Sequence, residues 1–227
     1  MWMTREVITV PASTTLAQVA TLMTRRKIRR VPVVAASPEG PRLLGIVSHS
    51  DVLHAFPADI NPFAVNATEA MTSAAAGRAE VTAGDLMARE PHTTAPDAPI
   101  EEAARLMRAH KIGALPVVSQ QVLAGIITES DIFRALVEVF DAPDRAVRLT
   151  FSLSAGEDVL PLVSAIAQRH RMRVTSFMAL PRHEPPVCVV QLAGEKVDES
   201  LEDVWKSRHR VLNVVHLVPE KAAKKAT

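Results

Sequence analysis

Apolar residues recur at helical spacing over Leu16, Val19, Ala20, Leu22 and Met23, and again over Ile100, Ala103, Ala104, Leu106 and Met107. Positions three and four apart share a helix face, so each set predicts an amphipathic helix. Ser13 and Asp97 offer the starts. A short extended piece precedes each helix (VITV, HTT), and a compact apolar run follows it (VPVV, LPVV). Such a run between turn signals predicts a buried strand. A turn and a second strand come next (LLGIV, VLAGII), then a short helix (SDVLHAF, SDIFRALVEVF). The predicted order is β-α-β-β-α, twice.

The two halves also match residue by residue. Met3 falls on Met87, Thr9 on Thr93, Lys27-Ile28 on Lys111-Ile112 and Pro32-Val33-Val34 on Pro116-Val117-Val118. The register then slips by four residues, where ASPEGPRLL meets SQQVLA. An insertion there belongs in a surface turn, and SPEGP has turn chemistry. A single unit of about 50 residues is marginal by itself. Two pseudo-symmetric units can bury their sheets against each other.

The most similar stretch is GIVSHSD (Gly45 to Asp51) against GIITESD (Gly125 to Asp131). Ser48-x-x-Asp51 and Thr128-x-x-Asp131 have the spacing of a helix-capping box, which accounts for the residue types without any ligand. The same residues also suit a ligand. Gly45 and Gly125 admit a close approach by backbone or ligand. The hydroxyl and the first free helical N–H groups offer an anion site. An ionised Asp, with two acceptor oxygens and no donor, is able to accept hydrogen bonds from two neighbouring sugar hydroxyls. Three residues past each Asp stand His54 and Arg134, one turn on and on the same face. Arg134 has the planar, permanent charge that meets a phosphate. The cluster RRKIRR stands where the second copy has AHKIGA, and Arg29 or Arg30 is a candidate to counter extra phosphate in the first site.

Residues 1 to about 140 resemble a tandem pair of cystathionine-β-synthase (CBS) domains: Leu-Met, Lys-Ile, Pro-Val-Val and Gly-Ile-x-Ser/Thr-x-x-Asp are carried twice, and the opening Met-Thr and Thr-Val of the first copy stand as Met-Ala and Thr-Thr in the second. The resemblance implies two quasi-equivalent clefts for adenosine derivatives. The implied site residues are Thr9, Arg30, Pro32, Val33, Gly45, Ser48, Asp51 and His54, with Thr93, Pro116, Val117, Gly125, Thr128, Asp131 and Arg134. It also implies flat, disk-like dimers.

Residues 57–84 read as a linker. Pro57 and Pro62 stop the preceding helix. The Ala-rich TEAMTSAAAGRAE is a candidate helix, and the linker's length fits a crossover. After DAPDRA the pattern changes. VRLTFSLS alternates as a strand, and AGEDVLPLVSAIAQRH is helical, with Pro161 tolerable in an early turn. RVTSFMAL and VCVVQLAG are strands joined by PRHEPP. VDESLEDVWKSRH is a helix, and VLNVVHLV a last strand. That is β-α-β-β-α-β, the ferredoxin-like order. A CBS pair followed by this order resembles the CBS–ACT proteins, including the acetoin-utilisation family. ACT domains bind small effectors and pair their sheets between chains. Their usual Asp-x-x-Gly turn is missing here, since LSA precedes Gly156. A dimerising or structural role is therefore expected of this domain rather than amino-acid binding.

The expected class is α+β or α/β, divided as CBS unit 1 (1–56), linker (57–84), CBS unit 2 (85–140), an ACT-like domain (146–219) and a disordered tail (220–227). Composition narrows the function. The 227 residues are 48% hydrophobic and 22% charged with a formal net charge of +1, which suits a globular chain that does not recruit nucleic acid by overall charge. Aromatics are 4% with no Tyr, against a base-stacking surface. Cys188 is the single cysteine and reads as a buried hydrophobe in a strand. His170, His183, His209 and His216 show no ligand spacing, so no metal is expected. No nucleophile-base arrangement stands out, so no catalytic residue is assigned. Nothing reads as a membrane span or a signal peptide, and a cytoplasmic location is expected. The expected function is a non-catalytic regulatory sensor. It needs no cofactor, binds AMP or ATP, dimerises and passes occupancy to a regulated enzyme. The alternatives are a structural module with vestigial clefts, clefts for S-adenosylmethionine or a dinucleotide, and an enzyme of acetoin metabolism.

Overall fold

The computed structural model describes residues 2–56, 61–63, 81–141 and 145–217. The Ala-rich candidate helix, Pro57 and the tail lie outside them. The chain forms two compact units, Met1–Ala135 and Leu136–Thr227.

In the first unit, repeat 1 comprises α1 (Leu16–Arg26), β1 (Arg30–Ala35), β2 (Arg42–Ser48) and α2 (His49–Ala55). Repeat 2 comprises α3 (Ala83–Leu86), α4 (Ile100–His110), β3 (Ala114–Ser119), β4 (Val122–Thr128) and α5 (Glu129–Phe140), whose last residues belong to the second unit. The apolar stripe read from the sequence faces inward. Val19 and Ala20 are wholly buried, and Met23 nearly so. Ala103 and Met107 do the same for repeat 2, against Leu115, Val117 and Ile127.

Two expectations need correction. The helices start later than Ser13 and Asp97. α1 is capped by Thr15, whose hydroxyl accepts the Gln18 N–H at 3.3 Å. Pro99 precedes α4 without a side-chain cap. In each case a turn comes first, closed by Thr14 N–H on the Pro11 carbonyl and Ala98 N–H on the Ala95 carbonyl. The opening extended pieces form no strands among the described residues. Each makes one parallel bridge, Val10 with Val33 and Thr94 with Val117. Pro11, Pro91 and Pro96 crowd these segments, and proline gives no ladder N–H.

Both repeats end their first helix alike. Lys27 and Lys111 adopt left-handed φ of 54°, and Ile28 and Ile112 donate N–H bonds of 3.0 Å back to Met23 and Met107. This Schellman-type turn aims residues 27–30 and 111–114 back toward the strands. The hairpins carry the four-residue slip. β3 turns into β4 through Gln120 and Gln121, both at positive φ, whereas β1 and β2 are joined by 36–41. Positive φ at both positions is the hairpin turn that follows the strand twist. The sheet order is β1-β2-β4-β3, and β2 meets β4 only at Arg42 and Val122.

The second unit follows the β-α-β-β-α-β order: β5 (Ala146–Ser152), α6 (Leu160–His170), β6 (Arg173–Leu180), β7 (Val187–Ala193), α7 (Val197–Lys206) and β8 (Arg210–Leu217). Its antiparallel sheet runs β6-β7-β5-β8. Pro161 sits in the first turn of α6, where its missing N–H is harmless. Val147, Leu149, Phe151, Cys188, Val190 and Leu192 alternate inward against both helices. On the opposite sheet face Gln191 is wholly buried and donates to the Phe140 carbonyl at 3.1 Å.

Two clefts built across the repeats

Both Asp motifs cap helices. Ser48 accepts the Asp51 N–H at 3.2 Å, and Asp51 Oδ2 accepts the Ser48 N–H at 2.7 Å. Thr128 and Asp131 repeat the exchange at 3.4 and 2.9 Å, with a further bond of 2.7 Å from the Thr128 hydroxyl to Oδ2. The short acid does reach back, because its backbone is already turned into the first helical turn.

The glycines serve backbone contact. A Cβ on Gly45 would stand 2.6 Å from the Ala88 carbonyl oxygen, and one on Gly125 would stand 2.8 Å from that of Thr4. The opening segment of each repeat therefore lies against the second strand of the other. Ile46 and Ala88 exchange N–H···O bonds of 3.1 and 2.9 Å, and Thr4 and Ile126 exchange two of 2.9 Å.

This crossing decides what lines each cavity. The Asp131 cleft, about 470 Å³, takes Ile126, Thr128, Glu129, Ser130 and Asp131 from repeat 2. From repeat 1 it takes Thr4, Glu6, Val7 and Ile8 with Lys27 to Arg30. The Asp51 cleft, about 510 Å³, takes Ile46 and Ser48 to Asp51 from repeat 1, and Ala88, Glu90, Pro91, His92, Lys111, Ile112, Ala114 and Pro116 from repeat 2. Arg29, Arg30 and Glu129 line both. These three residues form a common wall, so the arginines do not serve the first site alone.

Of the residues expected at the sites, Arg30, Ser48, Asp51, Pro116, Thr128 and Asp131 line the cavities. The others do not. Val33 and Val117 are core, and Pro32 is buried with its carbonyl accepting from Val10. Thr9 stands beside the Val10 bridge, and Thr93 is exposed next to Thr94, which makes the equivalent bridge. Gly45 and Gly125 are covered by the crossing segments. His54 is exposed outside the lining. Arg134 reaches no cavity wall and instead bonds Asp131 Oδ1 at 2.7 Å. Lys27, Lys111, Glu129 and His49 were not singled out beforehand. The matched Lys-Ile pairs after each first helix were the signal for the lysines.

Burial, and after it the Arg29 guanidinium, hold the His49 imidazole below its ordinary value. The ring stacks on Phe63 at 3.7 Å. Both effects disfavour the charged form of His49, and Arg29, Arg30 and Lys111 bring cationic side chains to the Asp51 cleft. Among the described residues no group of His, Cys, Asp and Glu is arranged to hold a metal, and no helix is long and apolar enough to cross a membrane.

An internally duplicated α/β module with two cross-built clefts is the class that this geometry defines. The sequence profile of the CBS domain matches residues 1–58 and 83–138, half of the chain, and the protein belongs to the CBS domain family. An inosine-5′-monophosphate dehydrogenase of Korarchaeum cryptofilum is 28% identical over 184 residues, 76% of this chain and 33% of the enzyme. The chain thus spans a third of that relative's length. A Vibrio cholerae protein assigned to acetoin utilization, AcuB, is 34% identical with a TM-score of 0.48, over 61% of this chain and 90% of that one. CBSX2, solved in complex with AMP, is 25% identical with a TM-score of 0.48, over 61% of this chain and 95% of that one.

Proposed function

We propose that the clefts bind adenosine nucleotides, AMP or ATP, and that the protein is a non-catalytic regulatory module. The observation that carries this reading is the make-up of each cavity. A carboxylate suited to a vicinal diol stands in one space with Arg29, Arg30 and a lysine suited to phosphate. Each space has the size of a small-molecule site. Membership of the CBS family supports it. Binding shifts the balance between two packings of the repeats, because the ligand touches both. The second unit is read as a ferredoxin-like, ACT-like domain that dimerises, and the receiver of the signal is a regulated enzyme.

A ligand carrying a cation, such as S-adenosylmethionine, is the second reading. Glu90 and Glu129 in the Asp51 cleft favour it. Calorimetry of purified, ligand-free protein against AMP, ATP, S-adenosylmethionine and a dinucleotide separates the two. Binding of AMP or ATP supports the proposal. Silence with every adenosine compound at millimolar concentration overturns it and leaves a structural module.

A further inference from the structure

The two clefts differ at their carboxylates. Asp131 is 4% exposed, and both its oxygens are engaged. Oδ2 accepts the Thr128 N–H and hydroxyl, and Oδ1 accepts Arg134 Nη2 at 2.7 Å. The same Nη2 donates to the Trp2 carbonyl at 2.9 Å. Asp51 is half-buried, and among the described residues its Oδ2 accepts only the Ser48 N–H. At the place of Arg134 repeat 1 has His54, which is exposed and makes no bond to Asp51 among the described residues.

We infer that Arg134 is a latch that makes the clefts unequal. Resting on the nucleotide reading above, the inference assigns the tight site to the Asp51 cleft and a weak, latched site to the Asp131 cleft. A sugar diol needs two acceptor positions on the carboxylate. Asp51 offers them at once. At Asp131 the diol must displace a charge-assisted bond, and those are the stronger kind. The cost is finite, because the Arg134 side chain is 55% exposed and its guanidinium can move into water. The tie to Trp2 extends the latch to the crossing segment, so filling the Asp131 cleft loosens the chain near Trp2 as well.

The reciprocal exchange of the two residues tests this, with AMP as the probe and calorimetric stoichiometry as the readout. Wild type should bind one AMP per chain tightly, and Asp51→Asn should remove that event. Arg134→His, which copies repeat 1, should reveal a second site roughly tenfold tighter than in wild type. His54→Arg, which copies repeat 2, should weaken the tight site by a similar factor. Two equal sites in wild type, or one site unmoved by both exchanges, overturns the latch and leaves the nucleotide reading standing. No heat with AMP, ATP or S-adenosylmethionine overturns both.

Discussion

The Thr4 carbonyl oxygen occupies the space in which a side chain on Gly125 would begin, 2.8 Å from the Cβ position. The neighbouring atom is backbone, held by the paired bonds between Thr4 and Ile126, so it cannot rotate away. Gly125→Ala should destabilise the first unit by about 1–3 kcal/mol, the usual cost of overpacking. Gly45→Ala should do the same through Ala88. Urea unfolding read at equilibrium checks both. Wild-type stability in either variant would mean that the crossing segments are not held where the strands place them.

Asp203 on α7 meets the last turn of α6, with His170 Nε2 and Arg169 Nη1 each 2.8 Å from its Oδ2. The His170 hydrogen bond first, then that of Arg169, lowers its pKa below the ordinary carboxylate value. A depressed pKa means that the unfolded chain binds the proton more readily. The pair therefore stabilises the fold above the unfolded value of about 3.9. That stability fades as pH falls through the lower, folded value. Asp203→Asn should melt lower than wild type at pH 7, and the gap should narrow and close as pH falls through the depressed folded-state value. A gap independent of pH would remove the ion pair as its cause.

Cys188 is wholly buried in β7, and burial followed by the Asp158 charge raises its thiol to about 11. The thiolate is the nucleophile, so native protein at pH 8 should resist a disulfide reagent and react only on unfolding. Release of the coloured thiol product against denaturant should track the unfolding curve. A fast native reaction would contradict this placement.

Gln191 and Arg148 both donate to the Phe140 carbonyl, at 3.1 and 3.3 Å, at the last residue of α5. A helix leaves its final carbonyls without intrahelical partners. Gln191→Leu should therefore cost about 1–3 kcal/mol despite its apolar gain. Chemical denaturation of the full chain measures it. A neutral result would show that Arg148 alone satisfies the oxygen.

Phe133 and Val137, 66% and 63% exposed, stand one turn apart on α5. The disk-like pairing that the CBS resemblance implies, distinct from pairing through the second unit, would have Phe133 as its first candidate for cover. Phe133→Glu should lower the sedimenting mass while changing monomer stability by less than ~0.5 kcal/mol. A wild-type chain that sediments as a monomer at all concentrations would refute self-association.

The helices and hairpins were legible because periodicity is local. Val19, Met23, Ala103 and Met107 announce their faces whatever their neighbours. The hairpin slip was legible for the same reason. The cleft linings were not, because a repeat read along one line assigns each motif to its own copy. Gly45 and Gly125 held the hint. They admit an approaching backbone, but nothing in one dimension says that it comes from the other repeat. Arg134 was misplaced for a related reason. Helical spacing puts it on the face of Asp131 but does not tell whether its fork points to a ligand or to the acid itself. The short opening strands failed because three or four extended residues beside prolines satisfy only a bridge.

Duplication of the fold doubled the cavities without doubling their arginines. Repeat 2 has Gly113 and Ala114 where repeat 1 has Arg29 and Arg30, and both cavities draw on the same two guanidinium groups. Polyanions lodged side by side would repel each other across that shared charge, so the second should bind more weakly than the first, and raised ionic strength should narrow the gap between them. The module is in this respect one electrostatic basin with a partition, and a single codon at position 30 tunes both compartments together.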